Sequence, residues 1–489
     1  MTFNVFNKYL AQQTAIAFIF TKRSTVMTQS TINDPAPHPT RFSIFLFLTY
    51  VLGMWTTSTS ATELRVGVFD VDASPPVGSP LAYDPTQGIE TPLSLRGIVI
   101  LGADQPIVLC AVDWIGIGSG GQTIFRSRLA SAAGTIPARV AVHALHQHDA
   151  PKCDFDVDQL LYESDFPNEG SNPVFARQVI RRAADALRVA TTSAQPVSHI
   201  GIGMAEIEKV ASNRRILGPD GNVKFTRWTK TVDAAIRAMP VGTIDPKLRM
   251  VSFWNGSQPL AVLSYYATHP QSYYRTGLAN PDFPGLARNA RQITTGVPHI
   301  HFNGAGGNIG AGKWNDGAHK NRQILADRVA NGMKQAWEQT EREPVTADDV
   351  SWQVLPVALP VAEHLHEQDL QKTLLDPKVA PAVRYAAAKS LVWLRRCQND
   401  DTIDITCLGL NQVRILHLPG ELFVEYQLAA QEMSPHLFVA MAAYGDYAPG
   451  YIGTKISYRQ GGYETSAGAS RVAPAVEAML MKTIETLLR

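Results

Sequence analysis

The sequence predicts an α/β protein, in which a mixed β-sheet core is flanked by helices and the active site lies at strand ends. From residue 64 onward, short runs of β-branched and apolar residues alternate with segments of helical periodicity. Polar or glycine-rich stretches that carry histidine follow several of these runs, which is where α/β proteins place chemistry. The 489 residues are 45% hydrophobic, enough for one large core or two ordinary ones.

The N-terminal residues have the pattern of a targeting segment. The apolar run 43–55 follows a basic residue and precedes small residues that end at Ala61, as in a cleaved export signal. We therefore expect an N-terminal extension and signal peptide over 1–61, a single globular domain over 62–489, and a secreted or periplasmic protein. A start at Met27 would give a more usual signal length, and an uncleaved membrane anchor is the alternative interpretation.

The first predicted elements lead to a cluster of histidines. Strand-like and helical segments occur in the order 64–69, 97–102, 107–113, 121–132 and 138–142, the second and third forming a hairpin. His146 and His148 follow the last of these strands. Because alternate residues of an extended chain face one side, both imidazoles are expected to face one cleft and His143 to face away. They are two metal ligands, or one ligand and one acid–base group, or polar loop histidines that neighbouring groups satisfy.

The later elements repeat this arrangement. The hairpin 251–266, with Asn255-Gly256 as a type I′ turn, ends close to His269. The remaining predicted elements are a polar loop over 150–172, helices over 174–191, 319–339, 366–397 and 421–433, strands over 299–302, 413–418 and 437–442, a glycine- and tyrosine-rich loop over 444–470, and a terminal helix. Pro419 and Gly420 precede Glu421, which is expected at a helix N-terminus, where a carboxylate is also an ordinary helix-start residue.

Two histidines from different strands together with Glu421 form the ligand set of catalytic zinc, with a coordination position open for water. No cysteine-rich zinc site is expected, because the four cysteines lack the required spacing. Cys397 and Cys407 bracket an acidic loop and are candidates for a disulfide. The net charge of +1 gives no basic stripe for nucleic acid, so we expect a small molecule as partner.

The glycine-rich loop 303–313 has two interpretations. Gly307 to Lys313 formally matches the phosphate-binding pattern G-x-x-x-x-G-K, but Trp314 replaces the hydroxyl residue that would hold magnesium. The alternative is a backbone nest in which Gly307, Asn308 and Gly310 present N–H groups to an anion or a developing oxyanion. Lys313 is a candidate substrate contact beside it.

An ordered set of motifs resembles the neutral, non-lysosomal ceramidases, which are zinc-dependent amidases. The segments that carry the resemblance are His146-Gln-His-Asp-Ala-Pro151, Ser212-Asn-Arg214, Ala267-Thr-His269, Pro419-Gly-Glu421 and the run from Tyr451 to Glu464, whose tyrosine, threonine and glutamate spacing matches without a gap. The resemblance implies zinc bound by His146, His269, Glu421 and Tyr451, with His148 and Arg214 contacting the substrate or its oxyanion. Asp113, at the end of a predicted strand, is a candidate carboxylate behind a ligating histidine, and an aspartate at a strand end is also commonly structural.

Two departures from these ceramidases bear on activity. Their glycine loop carries a serine in Gly-Asp-Val-Ser, where this sequence has Gly307-Asn308-Ile309-Gly310. The sequence also has no room for their C-terminal immunoglobulin-like domain. The resemblance therefore implies an amide hydrolase acting on a small or lipid-like molecule, with a membrane surface as one source of substrate. The alternative is a catalytically inactive relative that binds zinc or an anion.

Overall fold

The computed structural model describes residues 63–489, and these all fall in one compact unit. The expected signal peptide and its cleavage position lie outside the described residues. The α-helices are α1 (Ser119–Ala133), α2 (Phe155–Glu163), α3 (Pro173–Thr192), α4 (Ala234–Ala238), α5 (Asp282–Thr295), α6 (Lys320–Glu338), α7 (Glu367–Leu375), α8 (Pro381–Gln398), α9 (Val424–Met433), α10 (Lys455–Gln460) and α11 (Val476–Leu488). Over residues 63–489, no helix combines the length and apolar character needed to cross a bilayer.

The strands, many of them short, occur throughout the described chain. They are β1 (Arg65–Asp72), β2 (Gly88–Ile89), β3 (Ser94–Leu101), β4 (Ile107–Val112), β5 (Gly116–Ile117), β6 (Val140–Ala144), β7 (Lys152–Cys153), β8 (Gln195–Pro196), β9 (His199–Glu206), β10 (Ser212–Asn213), β11 (Arg215–Leu217), β12 (Val223–Thr226), β13 (Lys247–Asn255), β14 (Gln258–Tyr266), β15 (Leu278–Ala279), β16 (His299–Asn303), β17 (Ile309–Gly310), β18 (Glu341–Pro344), β19 (Val350–Val357), β20 (Ile403–Leu410), β21 (Val413–His417), β22 (Glu421–Leu422), β23 (Phe438–Ala442) and β24 (Tyr451–Ile452). Short 3₁₀ helices occupy Pro137–Arg139 and Ala347–Asp349.

Three larger sheets form the framework, with strand orders β6-β4-β3-β1-β8, β16-β14-β13-β9-β18 and β19-β20-β21-β23. Each sheet is mostly antiparallel and ends in one parallel pair, namely β4 with β6, β14 with β16, and β21 with β23. Parallel strands end at the same edge of a sheet, so each pair delivers two loops side by side. The structure confirms the predicted mixed α/β fold.

The three sheets share one apolar core and are covered separately by helices. Side chains from every sheet meet in the shared core, among them Ile98, Leu109, Val251, Leu263, Leu408 and Ile415. On the other faces, α1 and α3 pack on the first sheet, α5 and α6 on the second, and α9 and α11 on the third. Burial on both faces explains why the central strands read as continuous apolar runs.

Helix α3 shows how local sequence sets the boundaries of these elements. The Asn172 side chain accepts a hydrogen bond from the Phe175 backbone N–H, and Pro173 occupies the first helical turn. Phe175, Val179 and Leu187 recur at helical spacing and are all buried. The predicted helix over 174–191 is therefore confirmed.

Several sequence predictions need correction. The predicted loop over 150–172 contains helix α2, which Asp154 caps by accepting two backbone N–H groups. The hairpin between β13 and β14 turns at Gly256 and Ser257, and only Gly256 has a positive φ, 56°. A positive φ at the first turn position alone corresponds to a type II′ turn and not to type I′.

The disulfide suggested for Cys397 and Cys407 is not formed. All four cysteines are free thiols. Cys407 lies inside strand β20 with its sulfur near the carbonyl of Leu408, whereas Cys397 lies near the end of α8 with its sulfur near the carbonyl of Leu359. Because β20 begins at Ile403, the supposed loop is mostly a helix end and a strand, and it does not bring the two sulfurs together.

Candidate metal centre and active site

The strand ends of all three sheets contribute to one buried site. His146 lies two residues after β6, His269 lies three residues after β14, and Glu421 lies four residues after β21. These residues are at most 2% exposed, although histidine and glutamate are polar. Buried polar groups of this kind need partners, and here they are one another's neighbours.

His146 is held in a strained backbone conformation. Its φ is +69°, which costs a non-glycine residue about 1–3 kcal/mol and persists only where surrounding contacts fix it. Its backbone N–H donates to Trp114, and its Nδ1 lies 2.6 Å from the carbonyl oxygen of Ile115. The ring also stacks on Tyr444. Nδ1 is therefore occupied by the protein, and Nε2 points into the site.

His148 shares the cleft with His146, their ring centroids being 5.0 Å apart. The extended chain assumed from the sequence is absent, because the backbone leaves strand geometry after Ala144, yet the rings still converge. Nδ1 of His148 lies 2.8 Å from the Tyr83 hydroxyl and 3.0 Å from Nε2 of Gln271. Its Nε2 lies 3.2 Å from Nε2 of His269. Burial, together with His146 and Arg214, lowers the pKa of His148 well below its usual range.

Glu421 lies in strand β22 and not at a helix N-terminus, since α9 begins only at Val424. Strand β22 pairs in parallel with β24, which places Glu421 directly beside Tyr451. The Tyr447 hydroxyl donates to Oε1 of Glu421 at 2.7 Å. Burial alone would raise the pKa of this carboxyl, but His146 and the hydroxyls of Tyr451 and Tyr447 outweigh burial and lower it. Glu421 is therefore held as a carboxylate.

The arrangement fits a metal ion. Nε2 of His146 and Oε2 of Glu421 are buried and face each other at 3.2 Å without the alignment of a hydrogen bond. Nε2 of His269 lies 3.9 Å from the same oxygen. Ligand atoms around a tetrahedral zinc ion, bound at about 2.0–2.1 Å, are roughly 3.3 Å apart. The ring nitrogens of His146, His148 and His269 also lie within 4.8 Å of one another, so they are positioned to hold a metal.

Arg214 contacts Tyr451, the residue that lies beside Glu421. It donates to the Tyr451 hydroxyl at 3.2 Å, and its Nε lies 3.3 Å from Glu464, which also receives a hydrogen bond from Arg215. Burial acts to lower the pKa of Arg214, but Tyr451 and Glu464 raise it above its ordinary value. A fixed positive charge therefore stands beside the cluster, connected to Glu421 through one tyrosine.

Asp113 does not support a ligating histidine. Both of its oxygens accept hydrogen bonds from Arg288, at 2.7 and 2.8 Å, and it also accepts the backbone N–H and hydroxyl of Ser94. The role predicted for Asp113 is taken by the carbonyl oxygen of Ile115, which lies three residues after the end of β4. A backbone acceptor leaves no side-chain signal in the sequence.

The glycine loop packs tightly behind the site. An added Cβ at Gly307 would lie 2.2 Å from the Glu421 carbonyl oxygen, so only glycine permits this backbone approach. The Gly307 N–H donates to Leu422, and Asn308 accepts from the Val424 backbone at the start of α9. These N–H and amide groups are engaged within the protein. They hold the backbone of Glu421 in place.

Gly310 and Lys313 lie further along this loop. Gly310 pairs with Ser212 between β17 and β10, which brings the loop against the backbone segment that carries Arg214. Lys313 donates to three backbone carbonyls at the end of the short helix α4 and contacts none of the clustered histidines. Its ammonium therefore stabilises a helix end.

Sequence reasoning missed two polar groups at the site, Tyr83 and Gln271. Tyr83 comes from the segment before β2 and stacks on His148, and no local pattern marks it. Gln271 lies two residues after His269, so proximity in sequence to a candidate ligand was the only available signal. Both contact Nδ1 of His148 and restrict the orientation of that ring.

Comparison with known proteins gives a structural likeness without a match in sequence. No family model and no curated protein matches the chain. A solved ceramidase complexed with C2 aligns at a TM-score of 0.62 and 16% identity, covering 87% of this chain and 75% of that one. The neutral ceramidase of Pseudomonas aeruginosa aligns at 0.61 and 16% identity, covering 87% and 74%. This chain is therefore similar in fold to neutral ceramidases.

Proposed function

We propose that residues 62–489 form a zinc-dependent amide hydrolase of the ceramidase-like type. The observation that carries the proposal is the unsatisfied pair at the convergence of the three sheets, Nε2 of His146 facing Oε2 of Glu421 beside Nε2 of His269. His146, His269 and Glu421 would hold the ion, with Tyr451 or His148 as the next ligand. The shared fold with ceramidases supports the reaction class.

A bound zinc ion would lower the pKa of water and polarise the acyl oxygen of the substrate. The protein's own groups complete the hydrolysis, in which the amide C–N bond breaks and water supplies the new C–O bond. His148 is placed to take a proton from water and give it to the leaving nitrogen. Arg214 is placed to neutralise negative charge that develops on the acyl oxygen. Tyr447 and Tyr451 hold the Glu421 carboxylate in position.

This proposal does not need the serine of the ceramidase glycine loop. Gly310 stands at the position of that serine and has no hydroxyl, and the side chain of Asn308 in the same stretch is engaged with the start of α9 and with Glu425. Direct attack by water is therefore the route that the described residues support. We infer further that the substrate is a small or lipid-like amide that the protein meets after export, including at a membrane surface.

The first experiment measures zinc per chain by mass spectrometry on purified wild type, His269→Ala and His148→Ala, with His436→Ala as an exposed-histidine control. We expect about one zinc per chain in wild type and control. The zinc should be lost in His269→Ala, because Nε2 of His269 lies 3.9 Å from Oε2 of Glu421 and 3.2 Å from Nε2 of His148. Absence of zinc from wild type, even after zinc is supplied, would contradict the proposal.

The same variants separate the two roles of His148. If His148 transfers protons, His148→Ala keeps its zinc and loses about 10²- to 10⁴-fold in hydrolysis of N-acyl amides. If His148 is a ligand, zinc and activity are lost together. Zinc binding with no hydrolysis of any amide in wild type would identify the chain as the inactive relative.

A further inference from the structure

Two adjacent cavities lie beside Glu421 and in front of helix α8. The inner cavity, of about 210 Å³, is lined by Glu421, Tyr447 and Tyr451 at one end. The outer groove, of about 1340 Å³, runs between the segment 76–85 and the start of α8. Both are lined by Ala82, Tyr83, Lys152, Tyr385 and Lys389, so these residues lie where the two cavities meet. We call this set the junction.

Lys152 and Lys389 are the charged residues of the junction. The Lys152 ammonium lies 4.3 Å from the centre of the Tyr385 ring, and the Lys389 ammonium lies 5.8 Å from the centre of the Tyr447 ring. Within the described part of the chain, neither ammonium forms a salt bridge or a side-chain hydrogen bond. Both side chains are only partly exposed, so two amino groups stand in a confined space beside aromatic rings and without a carboxylate in contact.

The surroundings of the two lysines add positive charge. Arg471 lines the inner cavity, with its guanidinium held by Ala448 and Ser390. Burial lowers the pKa of Lys152 to about 8, against the opposing effect of Asp158. Burial together with Arg471 and Lys152 lowers the pKa of Lys389 to about 7, against the opposing effects of Asp154 and Glu421. An anion between these groups would relieve both the burial and the repulsion.

Asp154 is the acidic residue of the inner cavity other than Glu421, and it does not pair with the lysines. Its side chain accepts the backbone N–H groups of Asp156 and Val157 and so caps helix α2. Glu421 faces His146 and His269, where the proposed metal would satisfy it. The positive charge of the junction is therefore available to a ligand.

We propose that Lys152 and Lys389 bind an anionic group of the substrate, so that the protein acts on amides that carry a carboxylate or a phosphate. This inference rests on the proposed function and names its substrate class. Tyr447 contacts both groups, since its ring centre lies 5.8 Å from the Lys389 ammonium and its hydroxyl donates to Glu421 at 2.7 Å, so the anionic group would lie near the scissile amide. An acylated amino acid carries its carboxylate within a few bonds of its amide, and the outer groove beside Leu81 and Phe166 offers apolar surface for its acyl chain.

The test uses full-length, zinc-loaded protein and matched amides. Hexanoyl-glycine is compared with neutral hexanoyl-glycinamide, and hexanoyl-phosphoethanolamine with hexanoyl-ethanolamine, which separates carboxylate from phosphate recognition. We expect kcat/KM to be at least tenfold higher for the anionic member of one pair. That preference should fall toward one in the variant that combines Lys152→Gln with Lys389→Gln, and Lys389→Arg should retain it. Lys334→Gln, at a remote exposed lysine, should leave the preference unchanged.

A wild-type preference near or below one, or an unchanged preference in the double variant, would overturn the inference while leaving amide hydrolysis intact. If no amide is hydrolysed, the proposed function fails, and calorimetric binding of hexanoyl-glycine decides the inference separately. The dissociation constant should then rise at least tenfold in the double variant but not in Lys334→Gln. Equal binding by wild type and double variant would reject the junction as an anion site.

Discussion

The hydroxyl of Tyr447 gives the sharpest test of how the site is held together. Tyr447→Phe removes one hydroxyl and leaves the partly buried ring, so its packing against Gly116 is retained. The lost interaction is a 2.7 Å hydrogen bond to the Oε1 atom of Glu421, whose other oxygen faces His146. The perturbation therefore acts on the orientation of the carboxylate and not on the fold.

The expected magnitude follows from the charge on the acceptor. A hydrogen bond to a charged group contributes about 1.5–3 kcal/mol, and outer partners of metal ligands change metal affinity by about 10- to 100-fold when removed. We therefore expect Tyr447→Phe to weaken zinc binding about 10- to 100-fold. Hydrolysis should fall with zinc occupancy and recover in part when zinc is added.

The assay is competition for zinc between the protein and a chromogenic chelator of known affinity. Tyr458→Phe is the matched control, because its hydroxyl bonds to Ser470 at 2.9 Å, away from the clustered histidines. The control should bind zinc as wild type does. If Tyr447→Phe also binds zinc with wild-type affinity, Glu421 is not a ligand oriented by Tyr447, and the proposed centre is wrong.

Three further predictions concern the framework of the site. Asp113→Ala leaves Arg288 buried without its partner, so the urea unfolding free energy should fall by about 3–5 kcal/mol while zinc content is unchanged; parallel loss of zinc would show a direct role at the metal. Gly307→Ala should lower zinc affinity, measured by the same competition, because its Cβ would collide with the Glu421 carbonyl, and wild-type affinity would contradict the packing described. Burial lowers the pKa of His143 to about 4 in the folded chain, whereas the unfolded value is about 6.5. Between these two pH values the unfolded chain binds a proton at His143 and the folded chain does not. Unfolding free energy should therefore fall by about 2 kcal/mol more between pH 7 and 5 in wild type than in His143→Gln, and equal slopes would refute this.

The regular elements were largely predictable because their signals are local. Helix α3 carries a cap, an N-terminal proline and an apolar stripe, and strands such as β4 are buried on both faces. The predicted boundaries of helices and strands were wrong where tertiary contacts determine them. The segment after Gly420 was expected to begin a helix, but pairing with β24 holds Glu421 in a strand for two residues. Likewise, α2 begins at an Asp154 cap within a stretch whose polar composition favoured a loop.

The site was predictable only in part, for a related reason. His146, His269 and Glu421 could be selected because each follows a recognisable strand, and the structure brings their side chains together. Tyr83 and the Ile115 carbonyl carry no residue-type or spacing signal, since their position depends on packing between distant segments. Asp113 had the expected residue type at a strand end, yet the buried Arg288 competes for it. Which carboxylate meets which cation is decided in three dimensions.

The convergence of three sheets on one point also has a kinetic consequence. Each of the three proposed ligands follows a strand of a different sheet, so an ion held there would be released whenever any one strand end moves away. The rate of metal loss would then be set by local opening of the least stable sheet and not by global unfolding. Conversely, a metal ion bound at the site would slow hydrogen exchange of the backbone amides at the ends of β6, β14 and β21 together, although these strands are far apart in sequence.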